Sequence, residues 1–247
     1  MMTKYVNAIL YFFLLIGSLG AQNPDWSLLT PKLAGTLRLG VEVKGESKWF
    51  SDFTTVHLDV SKNQLRYILA DNIMGGGTME LIVRSLEDSQ GAVMKLKGEN
   101  IVQDVRLIWM FGGASNKEVD ADQWISEILP EDCLLNVFSI EGQSFTLYYG
   151  SSQKLRVLGG LVPSGGCLRL ADARKQAQPL CLLKSGKKTR YQVVSSDVAM
   201  TTGKDYYFCF YFLNPRADYN YFMLPKLFKE GSYVVNKETE WMKSTPD

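Results

Sequence analysis

Residues 36–44 read Thr-Leu-Arg-Leu-Gly-Val-Glu-Val-Lys, and this stretch indicates the fold class because nearly every second side chain is apolar. Alternation with a period of two lets one face of a strand bury its side chains while the other face meets water. Similar short runs, separated by Gly, Asn, Asp, Ser or Pro, continue to residue 212. The sequence therefore predicts an all-β protein.

About thirteen strands are expected, mostly as antiparallel neighbours joined by turns. They are predicted at residues 36–44, 55–60, 64–70, 78–85, 92–98, 105–111, 136–140, 144–149, 155–162, 167–171, 180–184, 189–194 and 206–213. Residues 22–31 are expected to lie across a sheet edge. So many strands without helices between them predict two large packed sheets, a supersandwich, spanning residues 22–213.

Both ends of the chain differ from this pattern. Residues 1–21 combine Lys4, a short apolar segment and a run of mostly small residues, which is typical of a cleaved signal peptide. The apolar segment is less than half as long as a membrane-spanning helix requires. We therefore expect export to the periplasm or beyond, with no membrane attachment after cleavage. Residues 214–247 read as a linker with helix-like spacing near its start, leading towards a further element.

Composition narrows the classes of function. Hydrophobic residues make up 46% of the chain and charged residues 21%, so a large core can form without a metal or a disulfide. The formal net charge is +1, and Lys and Arg are scattered rather than clustered, which argues against nucleic acid as a partner. Four cysteines allow three pairings, but Cys209 lies in an aromatic run that predicts a buried free thiol. A single disulfide remains an open alternative.

No catalytic residue, metal ligand or cofactor is predicted. His57 is the only histidine, and the alternation around it places it on the solvent face of a strand. Without close cysteine pairs, one histidine cannot build a usual zinc site. The glycines at 75–77 precede a strand rather than a helix, which favours a turn over a phosphate loop. The long segment 112–133 is rich in acidic residues, but their abundance does not define a hydrolytic pair.

Aromatic side chains are the usual device for binding sugars, because a flat ring covers the apolar face of a pyranose. Trp49 follows a Gly-Glu-Ser-Lys turn and is expected to be exposed, whereas Trp124 lies in the long segment as its anchor. These two residues are the predicted carbohydrate contacts.

Several motifs together resemble one known family. They are residues 32–40, KLAGTLRLG; 45–49, GESKW; 105–115, VRLIWMFGGAS; 145–150, FTLYYG; and 168–173, LRLADA. They are similar to the N-terminal region of large exported bacterial proteins, described as containing a domain of unknown function, whose later part is an (α/α)6 toroid of the six-hairpin glycosidase type.

The resemblance implies a galactose-mutarotase-like β-supersandwich and places the catalytic carboxylates in the toroid. This sequence lacks a toroid, and residues 244–247 look like the join at which the family continues. Two functions are then expected from different classes. The first is a non-catalytic domain that braces a separate (α/α)6 chain and contributes to a glycan cleft, and the alternative is a stand-alone carbohydrate-binding module.

Overall fold

The computed structural model describes residues 24–27, 35–61, 64–87, 89–114, 128–134, 136–150, 156–212 and 219–231. The strands are β1 (Trp26–Ser27), β2 (Thr36–Val43), β3 (Glu46–Trp49), β4 (Thr55–Ser61), β5 (Gln64–Ala70), β6 (Thr78–Ser85), β7 (Gly91–Glu99), β8 (Arg106–Gly112), β9 (Val137–Glu141), β10 (Ser144–Tyr149), β11 (Arg156–Leu161), β12 (Arg169–Asp172), β13 (Gln192–Ala199) and β14 (Asp205–Phe212). Two short α-helices are described, α1 (Pro179–Leu183) and α2 (Leu224–Glu230).

These strands form two antiparallel sheets. The small sheet has six strands in the order β1-β2-β8-β13-β12, with β3 also paired to β2, and the large sheet has eight in the order β4-β5-β6-β7-β14-β11-β10-β9. Most hydrogen-bonded neighbours are consecutive in sequence, as expected for strands joined by short turns. The predicted all-β, two-sheet antiparallel sandwich is confirmed.

The main core lies between the inner faces of the two sheets. In β2 the residues Leu37, Leu39, Val41 and Val43 are buried on one face, so the alternation read from the sequence is realised in the fold. Phe111 of the small sheet stacks on Phe210 of the large sheet, with ring centroids 4.6 Å apart. This stacked pair lies where the two inner faces meet.

Close packing against aromatic rings explains a glycine in a strand of the large sheet. A Cβ atom added at Gly160 in β11 would lie 2.3 Å from the ring of Phe145, closer than packed atoms come. Position 160 therefore has room only for a residue without a side chain beneath the Phe145 ring.

The outer face of each sheet is covered by a later segment of the chain. Residues 173–191, which include α1, and residues 128–134 cover the small sheet and bury a second cluster around Trp49, Met110 and Leu182. The segment with α2 covers the large sheet. None of the helices in the described part of the chain is long and apolar enough to cross a membrane.

Two strand predictions need correction, and one strand was missed. Residues 180–184 were expected as a strand, but residues 180–183 lie in α1 and Lys184 caps its end. Pro179 occupies the first helical turn, and a short apolar run does not distinguish strand from helix. The strand expected at 189–194 instead runs from Gln192 to Ala199. The polar residues Ser195 and Ser196 are buried, so the strand continues past the expected end at residue 194. The short strand β3 was not predicted at all.

Candidate interaction surface

Trp49 is buried, so the expectation of an exposed sugar-binding ring is wrong. Its side chain is 1% exposed, and its indole Nε1 donates a hydrogen bond of 2.7 Å to the backbone carbonyl of Gln176. The guanidinium of Arg38 lies 4.7 Å from the ring centroid. The ring therefore anchors residues 173–191 to the small sheet. The other predicted carbohydrate contact, Trp124, lies outside the described residues.

Arg38, which lies over the Trp49 ring, also binds a buried carboxylate. Arg38 Nε donates to Asp25 Oδ2 over 2.9 Å, and the side chain of Asp25 is only 2% exposed. Burial raises the pKa of Asp25 to about 6, although the charge and hydrogen bond of Arg38 act in the opposite direction. This ion pair attaches the segment that begins β1 to the neighbouring strand β2.

The other buried carboxylates also have structural partners. Asp71 accepts from Lys48 Nζ at 2.6 Å and from the backbone N–H groups of Thr54 and Ile73. Burial raises the pKa of Asp71, but these hydrogen bonds outweigh it and lower the pKa below its usual value. Two arginines from neighbouring strands bind buried Asp197 from both sides, Arg106 and Arg169.

Asp172 is held in the same way, and the hydrogen bond from Arg174 lowers its pKa. The carboxylates that the described residues bury are thus used to hold strands and loops together. A hydrolytic pair would instead need two carboxyl groups converging on an open cleft.

Residues that could supply other chemistry lie apart. His57 is exposed on β4, on the same face as Thr55 and Asp59, as its alternation predicted. Within the described ranges, no group of three or more His, Cys, Asp and Glu side chains could hold a metal ion. The acidic residues of the long segment fall mostly outside those ranges.

All four cysteines are free thiols. Cys133 and Cys209 are buried, whereas Cys167 and Cys181 are exposed. Burial raises the pKa of Cys133 to about 12, so this thiol behaves as a small hydrophobic side chain. The buried free thiol predicted at Cys209 is confirmed.

The most distinctive surface lies around the edge strand β9. Among the described residues, five of the seven large apolar side chains that are exposed lie between residues 129 and 148. Three of these five lie on β9 or on β10, the strand paired with it, and we call them the β9 edge patch: Val137, Ile140 and Tyr148. This patch was not predicted from the sequence, although the low polarity of residues 137, 138 and 140 indicated it.

The pairing of β9 with β10 places side chains of the patch on both faces of the sheet edge. Val137 pairs with Tyr148 on the outer face, whereas Ile140 pairs with Phe145, which faces the core. Val137 is 60% exposed. β9 is the last strand of the large sheet, so its outer backbone groups are not paired with another described strand. An apolar edge of this kind is normally covered by a partner.

The other edge strand of the large sheet, β4, lacks such a patch. On β4 the exposed side chains are mainly polar, and Val60, which is 52% exposed, is its one exposed large apolar side chain. Elsewhere on the large sheet, Leu224, Leu227 and Phe228 of α2 already cover the outer face. The uncovered apolar surface is thus concentrated at β9.

Phe222 is the remaining exposed apolar residue of the described set. It lies just before α2 and is 91% exposed, although its neighbour Tyr221 is half-buried. Residues 219–231 therefore pack against the sheet but still present one aromatic ring to solvent.

Comparison with known proteins agrees with this architecture. The fold is similar to that of a bacterial glucoamylase solved in complex with acarbose, with a TM-score of 0.52 and 9% sequence identity. The similarity covers 90% of this chain and 35% of the glucoamylase chain, so this chain spans about a third of that enzyme. At this identity the likeness establishes the fold alone. No curated protein matches the sequence significantly.

A family model matches most of the chain. Its match runs over residues 30–232, which include every strand of both sheets except β1, and also α2. The chain therefore belongs to the family described as Domain of unknown function (DUF4450).

Proposed function

We propose that this chain is a non-catalytic β-supersandwich domain of a glycoside-hydrolase-like protein, and that it braces a helical (α/α)6 domain. The observation that carries this role is the β9 edge patch, an apolar surface that water contacts in the isolated chain. Covering it with a helical domain would remove apolar area from water and would shield the free edge of β9 from other strands.

The comparison with the glucoamylase supports the nature of the partner. Nearly two thirds of that enzyme has no counterpart here, so a sandwich of this kind can be one part of a larger glycosidase. The motifs that resemble six-hairpin glycosidase-like proteins point to a helical toroid as the partner of the sandwich. In this arrangement the toroid supplies the hydrolytic carboxylates and the sandwich supplies support and one wall of a glycan cleft.

One test measures hydrolysis by the purified chain. Maltooligosaccharides and a panel of polysaccharides are incubated with it, and release of reducing sugar is measured. We expect no turnover, because the buried carboxylates of the described residues are held by structural partners. Robust turnover that survives repeated purification would refute a non-catalytic role.

A second test examines the β9 edge patch directly. The tagged chain captures partners from the organism that produces it, and captured chains are identified by mass spectrometry. We expect an (α/α)6 chain with the wild type and with V60K, but not with V137K. Val60 and Val137 are both exposed valines on edge strands, so V60K controls for the added charge. Equal capture by both variants, or no (α/α)6 chain, would contradict the bracing role.

The alternative, a stand-alone carbohydrate-binding module, loses its first candidate residue because Trp49 is buried. Its other predicted contact, Trp124, lies outside the described residues, and a group of exposed cations on the small-sheet side of the molecule also supports it. Calorimetry with neutral and acidic glycans distinguishes this alternative, because a module binds glycan without any partner chain.

A further inference from the structure

One loop is strongly basic, although the basic and acidic residues of the whole chain nearly balance. Residues 173–191 contain six basic residues and no acidic residue. Removing these six from the 27 basic residues leaves 21 against 26 acidic ones, so the rest of the chain has a formal charge of −5. The expectation that Lys and Arg are scattered is therefore wrong for this segment, which we call the basic loop.

The basic loop is closed at its base, which brings its two charged ends together. The backbone N–H of Ala173 donates to the carbonyl of Tyr191 over 2.9 Å, and that of Asp172 donates to Ser185 Oγ over 2.8 Å. Arg174 lies over the ring of Tyr191 at 4.9 Å from its centroid. Cations at the start and the end of the loop consequently share one surface.

Most of these charges are unpaired. Arg174 binds the carboxylate of Asp172 through several hydrogen bonds at the base of the loop. The other five are exposed, and none forms an ion pair with a described residue: Lys175, Lys184, Lys187, Lys188 and Arg190. Five like charges on one loop repel one another, and an anionic ligand would reduce that repulsion.

The basic loop is also attached to the small sheet by hydrogen bonds and by a buried side chain. Trp49 binds its backbone at Gln176, Ser47 Oγ accepts from the N–H of Leu180 at 3.1 Å, and Leu182 is buried against the small sheet. Side chains held on a fixed frame lose less entropy when they bind a ligand. The frame therefore presents the cations in a constant arrangement.

We infer that the basic loop binds a polyanionic glycan that carries carboxylates, a uronate polymer. This inference rests on the proposed association with glycans and names the class of glycan. Ammonium–carboxylate contacts provide charge-assisted hydrogen bonds along such a chain. Exposed aromatic rings are absent from the described residues of the loop, and single-stranded nucleic acid needs these for stacking. The acidic remainder of the protein disfavours extended surfaces such as duplex DNA or an anionic membrane.

The test compares two double variants of equal charge. K187S/K188S removes two cations of the basic loop, and K226S/K229S removes two exposed lysines from α2 on the other sheet. Binding of polygalacturonate to the full chain is measured by calorimetry, with maltoheptaose as the neutral probe. Two exposed charge contacts of ordinary strength give about a fivefold loss of affinity. We expect that loss in K187S/K188S only, and loss of wild-type binding between about 0.05 M and about 0.5 M salt.

Several outcomes would overturn the inference. These are no binding of polygalacturonate by the wild type at low salt, an equal loss in both variants, or tighter binding of duplex DNA or of phosphatidylglycerol vesicles. Circular dichroism and the melting temperature check that K187S/K188S is folded. The bracing role is judged separately by hydrolysis and by the V137K capture, which do not involve these lysines.

Discussion

Replacing Trp49 by phenylalanine should destabilise the protein rather than impair a sugar contact. The substitution removes the indole N–H that binds the carbonyl of Gln176 at 2.7 Å and weakens the contact with Arg38. Leaving the carbonyl without its donor costs about 1–2 kcal/mol, and weakening the cation–π contact costs about 0.5–1 kcal/mol. The free energy of unfolding should therefore fall by about 1.5–3 kcal/mol through these two losses.

A matched control comes from a second buried tryptophan. The indole Nε1 of Trp26 is buried and has no hydrogen-bond partner among the described residues. W26F makes the same chemical change without losing a hydrogen bond, so it should cost only about 1 kcal/mol through altered packing. The difference between the two variants measures the bond to Gln176 together with the contact to Arg38.

Urea denaturation followed by tryptophan fluorescence and circular dichroism measures both variants. For a chain of this length, the W49F loss should lower the melting temperature by about 3–12 °C. If W49F were no less stable than W26F, the indole of Trp49 would not anchor the loop. Weaker glycan binding by a W49F protein of unchanged stability would restore the sugar-contact hypothesis.

Three further predictions follow from burial. The raised pKa of Asp25, about 6, means that its contribution to stability is greatest below its usual pKa of 3.8 and falls as the pH rises towards 6. Unfolding in urea at pH 3.5–7 should show the wild type losing about 3 kcal/mol relative to D25N across this range, and a constant difference would contradict the shift. F222S should leave the melting temperature unchanged because its ring is exposed, whereas F228A should cost about 3 kcal/mol; equal effects in a thermal melt would disprove this reading of α2. A thiol reagent should modify two cysteines in the native protein and four after unfolding, so labelling of either buried thiol under native conditions would refute the packing. The two that should react first are Cys167 and Cys181.

Strand positions were well predicted because they depend on local alternation. A strand with one buried face must repeat its apolar side chains every second residue, and β2, β5, β6 and β10 do so within a residue of the expected bounds. The aromatic run in β14 also predicted a buried strand, as found. The helix at Pro179–Leu183 was missed because five apolar residues fit either periodicity.

The surfaces were less predictable, because exposure depends on which distant segments meet. Trp49 follows a polar turn and looked exposed, but Gln176, 127 residues later, packs over it. Val137 looked like an ordinary strand residue, and only the sheet order shows that β9 is an edge.

The sequence alone determined the all-β class, the strand positions and the family resemblance, since each depends on residues close together in the chain. The tertiary structure decided which aromatic side chains are buried, which sheet edge is apolar and how the cations of residues 173–191 come together. Those properties arise from contacts between segments far apart in sequence, which local periodicity does not encode.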